Sequence, residues 1–246
     1  MSIQFNDTST YKGLVQLYEK EIGVDYGTIS GNATKLKSLT ADMNLAVDDF
    51  LDLAINNSGT WKPDDSAHTD FPEITTPLVS GRRDYTFLTD ELGNQILDIY
   101  KVYCRISSTG PYQLLTPVDP DREDLGGFTD GQNTTGVPTE YDKTGNVILL
   151  NAIPNYASSD GLKVSISREA LYFTSGDTDK KPGFYGLYHK YFYLKPALDY
   201  ARRNNLKNQA NIERQVLLLE EKIKAGTALR TKDETPQITM SPINFL

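Results

Sequence analysis

Cysteine is almost missing from this 246-residue chain: Cys104 stands alone. One thiol forms no intramolecular disulfide and builds no cysteine-based zinc site. Histidine is nearly as scarce, at His68 and His189. No apolar run approaches the roughly 20 residues of a membrane-spanning helix, so no membrane contact is expected. The opening stretch MSIQFNDTST has neither the basic flank nor the apolar block of a secretory signal, which predicts a chain that starts in the cytosol. GxGxxG, GxxxxGK(S/T), HExxH and GxSxG are all absent, so the usual phosphate cradles, zincin helices and nucleophile elbows are not encoded. Positive charge is short as well. There are 25 Lys and Arg against 33 Asp and Glu, a net −8. That argues against nucleic-acid binding over the whole surface, because phosphates need concentrated positive charge. A local basic face stays open.

Two acidic clusters come nearest to a chemical site. Asp64, Asp65, His68 and Asp70 offer three carboxylates and an imidazole within one short segment, donors that a divalent cation could use. Their spacing fits no metal-loop template. The reading is a solvated polar loop, with a hydrolase metal site at Asp64 to Asp70 as the chemical alternative. Asp119, Asp121, Glu123 and Asp124 superficially resemble a calcium loop. An EF-hand needs Gly at its sixth place and Glu at its twelfth, and here Asp124 and Asp130 stand there. His189 lies among Tyr185, Tyr188, Tyr191 and Tyr193 with no nucleophile or carboxylate near it in sequence, and reads as packed or exposed. Cys104 reads as core. No catalytic residue, metal or cofactor is expected.

What is present is pattern. Residues 10–23 place Leu14, Leu17 and Tyr18 on one side of a short helix that stops at Gly23. Residues 32–57 repeat apolar positions at spacings of three, four and seven, from Leu36 to Ile55. They predict an amphipathic helix with Asn32 or Thr34 as its cap and an exit at 56–59. The period then drops to two. Strands are expected at 74–79, 84–88, 95–107, 112–117, 146–151 and 162–169, punctuated by Gly81, Gly93, Gly110, Gly145 and Gly161. With no helix between them, an antiparallel sandwich or barrel is favoured over βαβ units. In the clearest run, Ile96, Asp98, Tyr100, Val102, Cys104 and Ile106 alternate with Leu97, Ile99, Lys101, Tyr103 and Arg105. Residues 118–138 form a long loop rich in Asp, Gly and Thr, of a length that is usually functional or mobile.

Helical spacing returns near the C-terminal end. Leu187, Tyr191, Leu194, Leu198 and Ala201 form one stripe; Ile212, Val216, Leu219 and Ile223 form another. Pro196 either kinks the first helix or lies in its first turn, and 203–208 are the expected break. Residues 180–225 hold ten Lys and Arg against four Asp and Glu, so this is the basic part of an acidic chain. Lys190, Lys195, Arg202, Arg203 and the neighbouring tyrosines admit three readings: nucleic-acid contacts, an ordinary amphipathic helix, or a protein interface. Beyond Gly226 the chain loses its period and carries Ile243, Phe245 and Leu246, which reads as an extended tail. The expected fold is α+β in four parts. A helical part at 1–60 packs with helices at 176–226 into one helical body. An antiparallel β-sandwich or barrel-like domain is inserted at 61–175. A tail follows at 227–246.

That order, with FYGLYHKYFYLKPALDYARRNN and ERQVLLLEEKIK as the closing helices, resembles the head-to-tail adaptor or neck ring proteins of short-tailed bacteriophages, including the crAss-like group. The stretch TWKPDDSAHTDFPEITTPLVSGRRDYTF, with its Trp, acidic loop and V-x-G-x-x-D-Y, is similar to segments of phage neck and tail-accessory proteins. The resemblance implies a structural virion protein, made in the host cytoplasm and placed in the neck or tail. It implies a homo-oligomer of twelve copies below the portal, stacked with other neck and tail ring proteins, with packaged DNA passing through the lumen without sequence-specific binding. Portal or subunit contact would fall to the tail, through Ile238, Met240, Ile243, Phe245 and Leu246. Subunit interfaces would use the long helices, with Tyr191, Tyr200, Arg202 and Arg203. The alternative is a virion accessory protein that binds a receptor or glycan through its β-domain.

Overall fold

A computed structural model describes residues 3–58, 62–118 and 134–228. Ile238, Met240, Ile243, Phe245, Leu246 and the acidic positions Asp119 to Asp124 therefore lie outside the described residues. Over the described residues the protein is α+β, with four helices and two sheets that are mostly antiparallel. It divides into two compact units: residues 1–63 with 172–246, and residues 64–171. The sequence pattern puts these boundaries at 60/61 and 175/176.

The first unit holds α1 (Leu14–Ile22), α2 (Ala33–Asn57), α3 (Tyr191–Asn204) and α4 (Gln209–Ala228). Local chemistry sets three of the helix boundaries. Gly23, at φ 76°, closes α1 in the left-handed conformation that costs other residues strain. The Asn32 side chain accepts from the Thr34 and Lys35 amides and starts α2. Asn205, also left-handed, closes α3. α3 is the hub and touches α1, α2 and α4. Its buried face is Tyr191, Phe192, Leu194, Ala197, Leu198 and Ala201. Pro196 lies in its second turn, and the helix runs on through it. Leu187, expected on this stripe, precedes the helix and is exposed. α4 continues past Gly226, and the Thr227 hydroxyl donates to the Ile223 carbonyl. Thr227 and Ala228, assigned to the tail by sequence, are therefore helical. The N-terminal segment is tied to the same unit: the Phe5 amide donates to the Lys180 carbonyl, and the Phe5 ring stacks on Phe173 at 4.9 Å.

The described residues of the second unit form eight strands: β1 (Glu73–Leu78), β2 (Asp84–Thr86), β3 (Ile96–Arg105), β4 (Tyr112–Leu114), β5 (Thr116–Pro117), β6 (Glu140–Thr144), β7 (Val147–Leu150) and β8 (Ser158–Arg168). One sheet runs β1-β8-β3-β4, the other β2-β7-β6-β5. Ile74, Val102, Cys104, Leu162, Val164 and Ile166 of the first share one core with Tyr85, Tyr141, Ile148 and Leu150 of the second. Two differences from the expected pattern have clear causes. The stretch expected as one strand at 112–117 is two short strands in different sheets, parted at the buried Leu115. In β3 the strict alternation breaks at register shifts between Ile96 and Asp98 and between Ile99 and Lys101. Each bulge adds a residue and flips the parity, so Ile99 turns inward and Tyr100 does not. The β1–β8 ladder shifts as well, between Thr76 and Leu78: β8 carries the extra residues there, opposite Pro77, which cannot donate to a ladder and sits on the edge strand.

Candidate functional site

In β8, Leu162, Val164 and Ile166 point into the core, and Arg168 follows on the same parity. Strand geometry therefore drives a guanidinium to the end of an apolar stripe, where it is fully buried. Asp64 answers it with both oxygens, from Nε at 3.2 Å and Nη2 at 3.1 Å. Nη1 donates to both oxygens of Asp70 at 2.9 Å and to Asp90 at 3.0 Å. Nη2 also reaches the Asp70 carbonyl. All three nitrogens are thus engaged, the condition under which a buried cation is tolerable. The hydrogen bonds from Arg168 hold Asp70 below its ordinary carboxylate range despite partial desolvation. Burial alone would raise Asp90, but donation from Asn94 and Arg168 outweighs it and holds that group low too.

This corrects the reading of residues 64–70 as a solvated loop. Asp65 and His68 are buried. Asp65 accepts from the Ala67 and Leu171 amides, and His68 Nε2 meets the Glu169 carbonyl at 3.0 Å. The carboxylates of the candidate metal loop are occupied in holding loop 62–72, the β2–β3 turn and the end of β8 together. Among the described residues, no group of three His, Cys, Asp or Glu side chains is placed to hold a metal ion. Burial pushes the Cys104 thiol up, so a reactive thiolate is disfavoured.

The helical unit carries the other candidates. His189 is buried, with Nδ1 accepting from the Ile3 amide at 3.1 Å. Nε2, 2.9 Å from the Phe184 carbonyl, must then carry the proton. Burial lowers its affinity for a second proton. The Tyr191 ring is fully buried, 6.4 Å from Phe50, and its hydroxyl donates to Glu220. A side chain with no exposed surface offers nothing to a neighbouring subunit, so Tyr191 belongs to the core of its own unit. Lys195 joins α2, α3 and α4 through Asp49 at 3.2 Å and Glu220 at 3.3 Å. Burial opposes its charge, but Tyr191, Asp49 and Glu220 raise its pKa.

Tyr200, half-buried, packs edge-on to Tyr18 at 6.2 Å. With Arg203 it lines a cavity of about 500 Å³ that includes Lys35 and Asp42. Arg203 pairs with Asp42 at 3.4 Å, and Arg202 with Glu213 at 2.7 Å. Both arginines are exposed but already have intramolecular partners. A second cavity, of about 930 Å³, opens between the N-terminal segment, the approach to α3 and α4. Sequence reasoning missed it, because Lys12, Lys181, Lys190 and Lys222 lie far apart in the chain. Among the described residues, no helix is long and apolar enough to cross a membrane. The chain matches no family model and no curated protein.

Proposed function

We propose that the chain is a structural subunit of a virion, a head-to-tail adaptor that forms a homo-oligomeric ring on the portal and encloses part of the DNA path. In this reading the helices of both chain ends are the ring body, and the inserted β-sandwich is its outward or tailward module. The observation that supports it is the uncovered apolar surface of the helices. Leu45 of α2 and Leu217 and Leu218 of α4 are exposed, although each helix already buries a full stripe on its other side. Large apolar residues left outside on two helices suit subunit contacts. Twelve copies at −8 each make an assembly that is acidic as a whole, with the negative charge carried by the β-units and the helical body near neutral. The tail from 229 onward, with Ile238, Met240, Ile243, Phe245 and Leu246, would reach the portal. Mass measurement of the purified chain, alone and with its portal, tests this: a closed multiple of 27.5 kDa is expected. A chain that stays monomeric in both samples sinks the reading. Deleting residues 229–246 should abolish portal attachment and leave the helix content intact.

A second reading has one observation behind it. Phe71, next to the Arg168 anchor, is 84% exposed. An outward aromatic suits a receptor- or glycan-binding β-domain. A glycan screen with the intact chain tests it, and a hit abolished by Phe71→Ala would favour it.

A further inference from the structure

The 930 Å³ cavity of the helical unit carries a charge pattern at odds with the rest of the chain. Four lysines line it: Lys12, Lys181, Lys190 and Lys222. All four are exposed, and among the described residues none lies within ion-pair distance of a carboxylate. Lys195, by contrast, is held between two carboxylates. Asp7 also borders the cavity, but its carboxylate already accepts from Thr10 and Ser9. Between the lysines the surface is apolar. Leu17 and Leu219 form the floor, and Leu187 stands 80% exposed at its edge.

Such a groove asks for an extended segment with several carboxylates and one or two large apolar side chains. Single-stranded nucleic acid fits less well, because it needs a row of free aromatic faces. Here, among the described residues, the one aromatic residue of the lining is Tyr188, and it packs against Phe50 at 5.9 Å. One segment of this chain has the required chemistry. Residues 119–133 carry five carboxylates and one arginine, a net −4, together with Leu125 and Phe128.

We propose that the lysine groove is the docking site for residues 119–133 of a second copy of this chain, a head-to-tail contact of β-unit on helical unit. The inference rests on the homo-oligomeric reading above. It adds the surface, the segment and the sense of the contact. A groove and a segment that differ from each other generate a heterologous interface, which closes into a ring when the rotation allows. Because the pairs sit at an open rim, association weakens as salt screens them beyond a Debye length of about 10 Å at 0.1 M.

The test uses the full chain and three charge variants. The groove variant is Lys12→Glu, Lys181→Glu, Lys190→Glu and Lys222→Glu; the segment variant is Asp121→Lys, Glu123→Lys and Asp124→Lys; the third combines both. Circular dichroism confirms that each keeps its helix content. Sedimentation is expected to show self-association weakened by about tenfold or more in either single variant, as reversed rim charges do. It should return when the two are mixed, and again in the combined variant. A wild-type oligomer that neither variant weakens overturns the groove assignment and leaves the ring reading standing. A synthetic peptide of residues 119–133, titrated against the chain by fluorescence anisotropy, separates the opposite case. If the wild-type chain is monomeric but binds the peptide, and the groove variant does not, the ring reading and the contact between copies both fail, and only the pairing of groove with segment holds. Stronger binding of a short single-stranded DNA than of the peptide overturns the assignment.

Discussion

At the scale of single residues, Arg168 should be felt furthest when removed. It is buried and holds Asp64, Asp70 and Asp90 at once. Arg168→Leu leaves Asp90, itself buried, without its cation, and removing one partner of a buried pair typically costs about 3–5 kcal/mol. The expected outcome is loss of hydrogen-exchange protection along β8. The acid response should change as well. Asp70 and Asp90 are held low in the fold, so they contribute stability above the unfolded carboxylate value of about 3.9. That contribution is lost as the pH falls through their lower folded values. In Arg168→Leu the two groups lose that stabilisation, and the acid limb should flatten relative to wild type; an unchanged limb would contradict the assignment. His189 works in a different window. Burial depresses its pKa, so its neutral form supports the fold fully above about pH 6.5 and less as the pH drops below that. Thermal melts near pH 5.5 and 7.5 should differ less for His189→Gln than for wild type.

At the scale of elements, the start of α2 gives the most direct prediction. The Asn32 carboxamide accepts from two amides at 3.1 Å, so Asn32→Ala should cost about 1 kcal/mol, read as a lowered melting temperature. Asn32→Asp should recover most of it. That cap was readable in the sequence, because capping is local. So were the four helices and most strands, since a stripe such as Leu36 to Ala54 needs only its own period. What escaped is what depends on a distant partner. β6 is polar, with Glu140, Asp142 and Lys143, and forms by pairing with β7 rather than by its own pattern. The bulges of β3 answer to β8. The same divide runs through the candidate sites. The parity of Leu162, Val164, Ile166 and Arg168 was visible, but the three aspartates that make a buried arginine possible come from 98, 104 and 78 residues away. Tyr191 was misplaced at a surface because its spacing fits a core stripe and an interface stripe equally well.

At the scale of the whole molecule, charge and chain continuity separate the two units. Residues 64–171 hold 8 Lys and Arg against 17 Asp and Glu, a net −9, which leaves the helical unit at +1. The acidity of the protein is therefore a property of the β-unit, and this asymmetry would give the proposed head-to-tail contact its direction. Continuity makes a separate prediction. The β-unit is one unbroken stretch, and its core cluster and the Arg168 network lie wholly within it. A fragment of residues 64–171 should fold alone, with dispersed amide resonances and a cooperative melt. The helical unit is discontinuous. α3 and α4 find their packing partners in α1 and α2, which precede the insertion, so Tyr191 and Phe192 have no Phe50 to pack against in a fragment of 172–246. That fragment should melt without cooperativity, and adding residues 1–63 as a separate chain should restore a cooperative helical signal. A cooperative 172–246, or a 64–171 that stays unfolded, would show that the two units do not hold their cores independently.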